Sequence, residues 1–297
     1  MAAEVPDERR SAAGNVVALT VVAMLAFAAN SLLCRLALGP HLIDAASFAT
    51  VRVIAGAVTL GLIVLPRWRA RGRAVPDWPA AAMLFVYMAG FSFAYVTLGA
   101  GTGALILFSA VQLTMFVVAL RGGEHFPRPS WLGLAVAVAG LVYLVLPGLT
   151  APDPLGAVLM TLAGIAWGAY SLRGRGAPDP LSSTANNFIC AVPMVILLSL
   201  AFAGEIRASP AGLALAVASG AVTSGLGYVA WYAALRGLTG TRAATVQLSV
   251  PVIAAVGGVV LLAEPITVRL LVASTATLGG VWIVLVQRSR AAPQAAT

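Results

Sequence analysis

Long apolar runs, broken at intervals by glycine, proline and arginine, set the pattern of this chain. Ten runs read as helices, at approximately 15–38, 44–65, 78–99, 102–120, 130–147, 154–173, 182–203, 210–235, 241–262 and 266–286. A helix rises about 1.5 Å per residue, so about 20 apolar residues cross the ~30 Å hydrocarbon core of a bilayer. The breaks fall at Gly39-Pro40, Pro66, Pro76, Gly99 to Gly103, Pro127 to Pro129, Pro152 to Pro154, Pro178 to Pro180 and Pro210. Only a glycine-rich kink at 99–102 separates the third run from the fourth, yet the split is required. A single run of over 40 residues is too long to cross once. The first 14 residues and the last ten or so are polar or small and read as poorly ordered tails. The 24-residue first run exceeds the 7–15 residue core of a cleaved signal peptide and stays a helix.

Composition agrees with the pattern. Of the 297 residues, 60% are hydrophobic and 9% charged, against roughly 25% charged in a soluble domain. Such a chain cannot cover a water-facing surface, and the fold class is all-α integral membrane. The formal charge of +8 arises from 18 basic residues, all arginine, and 10 acidic ones. In a soluble protein that excess would suggest nucleic acid. Here the arginines lie between apolar runs and report orientation instead. With the N-terminus inside, 14 fall in cytoplasmic segments, against four (Arg35, Arg52, Arg207 and Arg269) at outer positions, giving N-in and C-in. Cys34 and Cys190 lie in apolar runs and read as small hydrophobes, and His41 and His125 have no partners at ligand spacing. No metal site, disulfide or cofactor is expected.

A weak internal repeat divides the chain. A shift of 140 residues sets Glu124 over Glu264, Ser109 over Ser249 and Gly140 over Gly280. A shift of 135 sets Asp44 over Asp179, Ser47 over Ser182 and Arg52 against Asn187. The helix order matches, so 15–147 and 154–286 read as two five-helix repeats between cytoplasmic tails at 1–14 and 287–297. An odd number of spans inverts the second repeat, the plan by which many secondary transporters place a site near the midplane.

The residues Ser47 to Arg52 resemble the pattern with which the drug/metabolite transporter superfamily opens its second helix. Gln247-Leu-Ser-Val-Pro251, followed by Glu264-Pro-Ile-Thr267, is similar to that superfamily's signature, and Gly164 to Tyr170 looks like its sixth helix. The resemblance spans nearly the whole chain and points to the EamA-like branch with ten helices. Within it, length and aromatic pattern look like the bacterial aromatic amino-acid exporters. It implies a multi-pass protein of a bacterial inner membrane that exchanges a small molecule between compartments. One departure is Val111, which stands where the first repeat would carry the counterpart of Pro251. A hinge at that proline would exist in the second half alone.

Carboxylates decide the coupling. None of the ten is expected at a helix midpoint, whereas proton-driven exporters of organic cations generally exchange protons on a buried one. A carrier running on the substrate's own gradient, along a neutral, polar and aromatic path, is the expectation. Glu124 and Glu264 read as interfacial caps or ion-pair partners, or else as gate residues. Arg52, two turns into its helix, either snorkels outward to Asp44 or draws a substrate carboxylate from an outer vestibule. Asn187 is its counterpart. Asn30, Gln112, Asn187 and Gln247 either join helices or meet the polar groups of a substrate. Pro251 frees a backbone carbonyl one turn after Gln247 and is the candidate hinge, with Pro193 a second kink.

Trp68, Trp78, Trp131 and Trp282 read as interfacial anchors. Tyr87, Phe91 and Tyr95, with Trp167, Tyr170, Tyr228, Trp231 and Tyr232, either pack helices or line a cavity for an apolar or aromatic body. Gly133 to Ala137 and Gly164 to Gly168 have the small-xxx-small spacing of close helix contacts.

These features favour a secondary transporter that exports small amphipathic metabolites, amino acids in the first place, by alternating access. A drug-like cation or a nucleotide sugar is the competing substrate within the superfamily. A membrane-embedded enzyme lacks the constellation it would need, and a structural subunit leaves the mid-helix polar and aromatic residues unexplained. The partners expected are a small molecule and the bilayer, with no nucleic acid, and a monomer is compatible with all of this.

Overall fold

The computed structural model describes residues 5–73, 75–123, 126–148, 150–174, 177–238 and 240–291, with side chains from Gly14 to Gln287 apart from 240–241. The helices are α1 (Val5–Leu38), α2 (Ala45–Arg71), α3 (Trp78–Ala94), α4 (Ala100–Arg121), α5 (Arg128–Val145), α6 (Pro154–Gly174) and α7 (Pro180–Ala201). They continue with α8 (Pro210–Ala218), α9 (Gly227–Leu235), α10 (Gly240–Gln247), α11 (Ser249–Leu262) and α12 (Val268–Ala291). A π-helical stretch, Ser219–Leu226, joins α8 to α9, so that Pro210–Leu235 is one span. Arg242–Leu262 is another, broken at Leu248. Among the described residues nine helices are long and apolar enough to cross a bilayer, and the 17-residue α3 is a shorter tenth.

Helix starts follow from capping. Asp44, Asp77, Asp179 and Ser209 each accept a hydrogen bond from the backbone N–H three residues on, at the starts of α2, α3, α7 and α8. Asp153 does the same for Gly156 before α6. This chemistry answers the unpaired amides of a first turn, and it holds these carboxylates at helix ends.

Boundaries differ from the sequence reading in four places. The first helix already runs from Val5, so 5–14 is helical and not a loose tail. α2 continues through Pro66, which removes one N–H bond that packed neighbours tolerate, and stops at Gly72, whose φ of 79° suits glycine. α3 ends at Ala94, five residues early, because Tyr95 to Leu98 turn tightly into the Gly99 start of α4. α12 runs on to Ala291. Pro193 lies inside α7 without ending it.

Helix pairing is reciprocal between the halves. α5 packs on α12, α2 on α7 and α4 on α11, while α3 lies against α6 as α8 and α9 lie against α1. Gly133 and Gly280 bring α5 and α12 together: a Cβ on either would strike the other's carbonyl oxygen, which is how small residues create membrane contacts. This pair has its own small apolar cluster of Ala137, Val281 and Leu285, apart from the main core. Outward-facing Val58, Leu62, Leu132, Leu197 and Leu261 give the surface its apolar cover.

Candidate functional site

The buried stripe of α2 runs through Phe48, Ala49, Arg52, Val53, Gly56 and Leu60, the i, i+3/i+4 spacing of a face turned inward. Arg52 stands on it and is fully buried. A Cβ on Gly220 would strike the Arg52 carbonyl oxygen, so the absence of a side chain there lets the π-helical stretch lie against α2. That contact aims Ser224 at the guanidinium, with Nε 3.4 Å and Nη2 3.5 Å from its Oγ. Nη2 also donates to the Tyr87 hydroxyl at 3.2 Å. The guanidinium lies 4.8 Å from the Phe91 ring centroid and 5.4 Å from that of Tyr87, within cation–π range. Nη1 is buried and has no partner. The ion pairs among the described residues, Arg35–Glu264 and Arg173–Asp77, involve other groups.

Next to this cation, Asn30 of α1 accepts from Ser219 at 2.7 Å and from Thr223 at 3.1 Å. Wide turns of this kind occur often at functional sites, and here one turn supplies three hydroxyls to the interior. The space left between Asn30, Arg52, Tyr87, Phe91, Ser224 and Tyr228 is only about 20 Å³, room for about one water.

A far larger cavity, about 630 Å³, enters from the face that carries Arg67 and Arg236. Gln112, Tyr170, Trp231, Tyr232 and Gln247 line it. Trp167 belongs to both spaces and forms the wall between them. Its indole stacks on Tyr170 at 5.4 Å and on Tyr228 at 5.5 Å, and meets Tyr87 at 4.9 Å. The polar edges are satisfied locally. Tyr170 donates to Thr184 at 3.2 Å and accepts from Asn187 at 3.3 Å.

On the opposite face an ion pair joins Arg35 and Glu264. Both carboxylate oxygens of Glu264 accept from the Ala100 N–H, at 2.8 and 3.1 Å, and Oε1 takes Arg35 Nε at 3.2 Å. Arg35 also donates to the carbonyls of Tyr95 and Val96. The latch thus ties α1, the α3–α4 turn and the end of α11. A recess of about 580 Å³ beside His41, Asp44 and Phe202 on that face has no lining residue in common with the Arg52 void. On the arginine-rich face, Arg173 beside Asp77 holds that carboxyl below its ordinary range. Asp179 also ends below it: burial works upward, and hydrogen bonds from Ser182 outweigh it.

Residues 154–286 match the EamA-like transporter family. An uncharacterized protein of Pseudomonas aeruginosa is 51% identical over 292 residues, which is 98% of this chain and 100% of that protein. An uncharacterized transporter of Archaeoglobus fulgidus is 26% identical over 210 residues, or 68% and 74% of the two chains. The chain belongs to the drug/metabolite transporter superfamily, in its EamA-like branch. A solved crystal structure superposes with a TM-score of 0.67, covering 93% of this chain and 99% of that one at 16% identity, a likeness of fold.

Within this EamA-like chain the residues singled out from sequence separate into groups. Asn30, Arg52, Tyr87, Phe91 and Tyr228 surround the small void, Gln112, Tyr170, Trp231 and Gln247 line the wide cavity, and Trp167 divides the two. Tyr95 is not brought in: its hydroxyl bonds to the Ala100 carbonyl and its ring fills the space beside Gly103. Pro251 follows the break at Leu248, whose N–H turns back to Thr245.

Two expectations for Arg52 are corrected. It does not snorkel to Asp44, whose carboxylate is taken by the N–H groups of Ser47 and Arg207. Nor does it stand in an outer vestibule, because the Gly220 contact and the Tyr87–Phe91 faces draw it into the core; the interior, expected from sequence to be neutral, therefore contains a cation. Asn187 is likewise buried against Tyr170 and not in a vestibule. Gln112 donates to the Ala244 carbonyl at 3.5 Å, a join between helices at the cavity wall. Glu124 and His125 lie outside the described residues. Sequence reasoning missed Ser219, Thr223 and Ser224. Their signal was available as a run of small hydroxyl residues and glycines in mid-span.

Proposed function

We propose that the chain is a secondary transporter of small amphipathic metabolites, amino acids with aromatic or neutral side chains in the first place, working by alternating access. The observation that carries this reading is a cavity of about 630 Å³ open at one face and closed by Trp167 above a buried polar centre, with a latch on the other face. That asymmetry is what one half of an alternating-access cycle requires. The volume falls in the ~300–1,000 Å³ range of small-molecule sites, and its aromatic lining suits an apolar body.

Reciprocal helix pairing supports two inverted five-helix repeats, 15–147 and 154–286. The excess of arginine on the open face supports its assignment to the cytoplasm, with both termini there, in a bacterial inner membrane. Every described carboxylate sits at a helix end, which favours movement down the substrate's own gradient over proton coupling. Export is the direction this reading assigns. Gln112 and Gln247 take polar groups of the substrate, Pro251 and the break beside it absorb the backbone change, and Glu264 with Arg35 forms the outer gate. A cationic drug is disfavoured by the charge of Arg52.

Counterflow in proteoliposomes preloaded with a panel of amino acids and cationic drugs tests the assignment. Exchange of amino acids without a pH gradient is the expected result. Strict dependence on a proton gradient, or exchange of the cationic drugs alone, would overturn it.

A further inference from the structure

Arg52 is a cation without a counter-ion. It is fully buried, its Nη1 has no partner, and it borders a void, while the two ion pairs among the described residues lie elsewhere. Arginine keeps its proton at any ordinary pH, and a charge removed from water costs several kcal/mol when it is left unpaired. Ser224, Tyr87 and Phe91 offset part of that cost with hydroxyl oxygens and ring faces, and none of them carries a negative charge. A site built in this way is completed by an anion.

We propose that Arg52 is the docking point for the carboxylate of the transported solute, so that a free carboxylate defines the substrate class. This rests on the transporter reading and deepens it. A carboxylate meets a guanidinium by two parallel N–H···O bonds, and Nη1 is free to donate. The site favours a monoanion, since a phosphate dianion would leave excess negative charge among Tyr87, Phe91 and Tyr228. The void of about 20 Å³ is too small for the group as it stands. Trp167 must therefore swing from its stack on Tyr170 and Tyr228 to join the two spaces, leaving the solute's apolar body in the wide cavity.

The test separates binding from transport. Purified full-length protein is titrated with L-phenylalanine, 3-phenylpropionate, phenylalaninamide, phenethylamine and phenyl phosphate, following tryptophan fluorescence. The same compounds are assayed by counterflow in proteoliposomes. Saturable binding of the two carboxylates is expected, with the amide and the amine weaker by about 30-fold or more, the cost of leaving a buried charge unpaired. Arg52→Gln removes the charge and should bring acid and amide to equal affinity. Because acid and amide are also compared on the unaltered chain, the proposal stays testable if that variant does not fold. Equal binding of acid and amide to the parent, preference for phenyl phosphate, or no carboxylate binding overturns the Arg52 assignment. Carboxylate-specific binding without counterflow would instead sink the transport reading and leave the anion site standing.

Discussion

Glu264→Gln tests the latch on the closed face. In the parent, the carboxylate accepts the Ala100 N–H at 2.8 and 3.1 Å and Arg35 Nε at 3.2 Å, with side chains 20% and 27% exposed. A carboxamide oxygen retains the Ala100 bond and loses the ionic one. A hydrogen bond between charged groups contributes about 1.5–3 kcal/mol. Partial exposure and the bonds Arg35 keeps to Tyr95 and Val96 reduce the loss to about 1–2 kcal/mol. The closed state should therefore lose about 5- to 30-fold in population against the state open on that face. Thr102 lines the shallow recess behind the latch, so Thr102→Cys, with Cys34 and Cys190 replaced by alanine, reports its opening. An impermeant maleimide applied from that face should label the cysteine faster in the Glu264→Gln background by about the same 5- to 30-fold. A rate within about twofold of the parent, the ordinary error of additivity, would refute the latch.

Other outcomes follow from the same geometry. Trp167→Ala and Gln247→Ala, made separately, should each impair counterflow while leaving the elution profile of the purified protein unchanged; full activity in both would end their assignment to the path. Gly220→Val should destabilise by about 1–3 kcal/mol through overpacking against α2, read as a lowered thermal midpoint in detergent. Asp179→Ala should cost about 1 kcal/mol as a lost N-cap. Because the folded chain lowers the Asp179 pKa, this contribution is present above the ordinary carboxylate range and lost as pH falls through the lowered value. The gap in thermal midpoint between parent and variant should be full at neutral pH and close only below about pH 4.

The spans were legible because the bilayer sets both their length and their composition; that Asp44, Asp77 and Asp179 cap helix starts came from the structure. The aromatic and amide residues of the cavity were legible as candidates, since few polar groups occur in mid-span. What the sequence did not reveal depends on neighbours far apart in the chain. Arg52 read as an interfacial cation because snorkelling is judged from depth along one helix. Its burial is decided by Gly220 and Ser224 on the eighth span. Arg35 counted only toward orientation, although its partner Glu264 lies 229 residues away. The π-helical turn was hidden for a different reason: Ser219 and Thr223 were not singled out from sequence, and only the wider turn brings their hydroxyls to Asn30.

An electrical consequence follows from the position of Arg52. Its charge is covalently part of the chain, so it remains in the membrane field throughout any cycle. Water filling the open cavity would carry the potential of the arginine-rich side as far as Trp167, and the voltage drop would then fall across the other half. Turning the cavity to the other side would move that drop past the guanidinium, with little displacement of the residue itself. A full charge crossing 100 mV is worth about 2.3 kcal/mol. In the proposed orientation, with the arginine-rich face in the cytoplasm, an inside-negative potential would hold the empty protein open toward the cell interior. A carboxylate bound as proposed would cancel the charge and release that hold, so membrane voltage itself would discourage empty turnover.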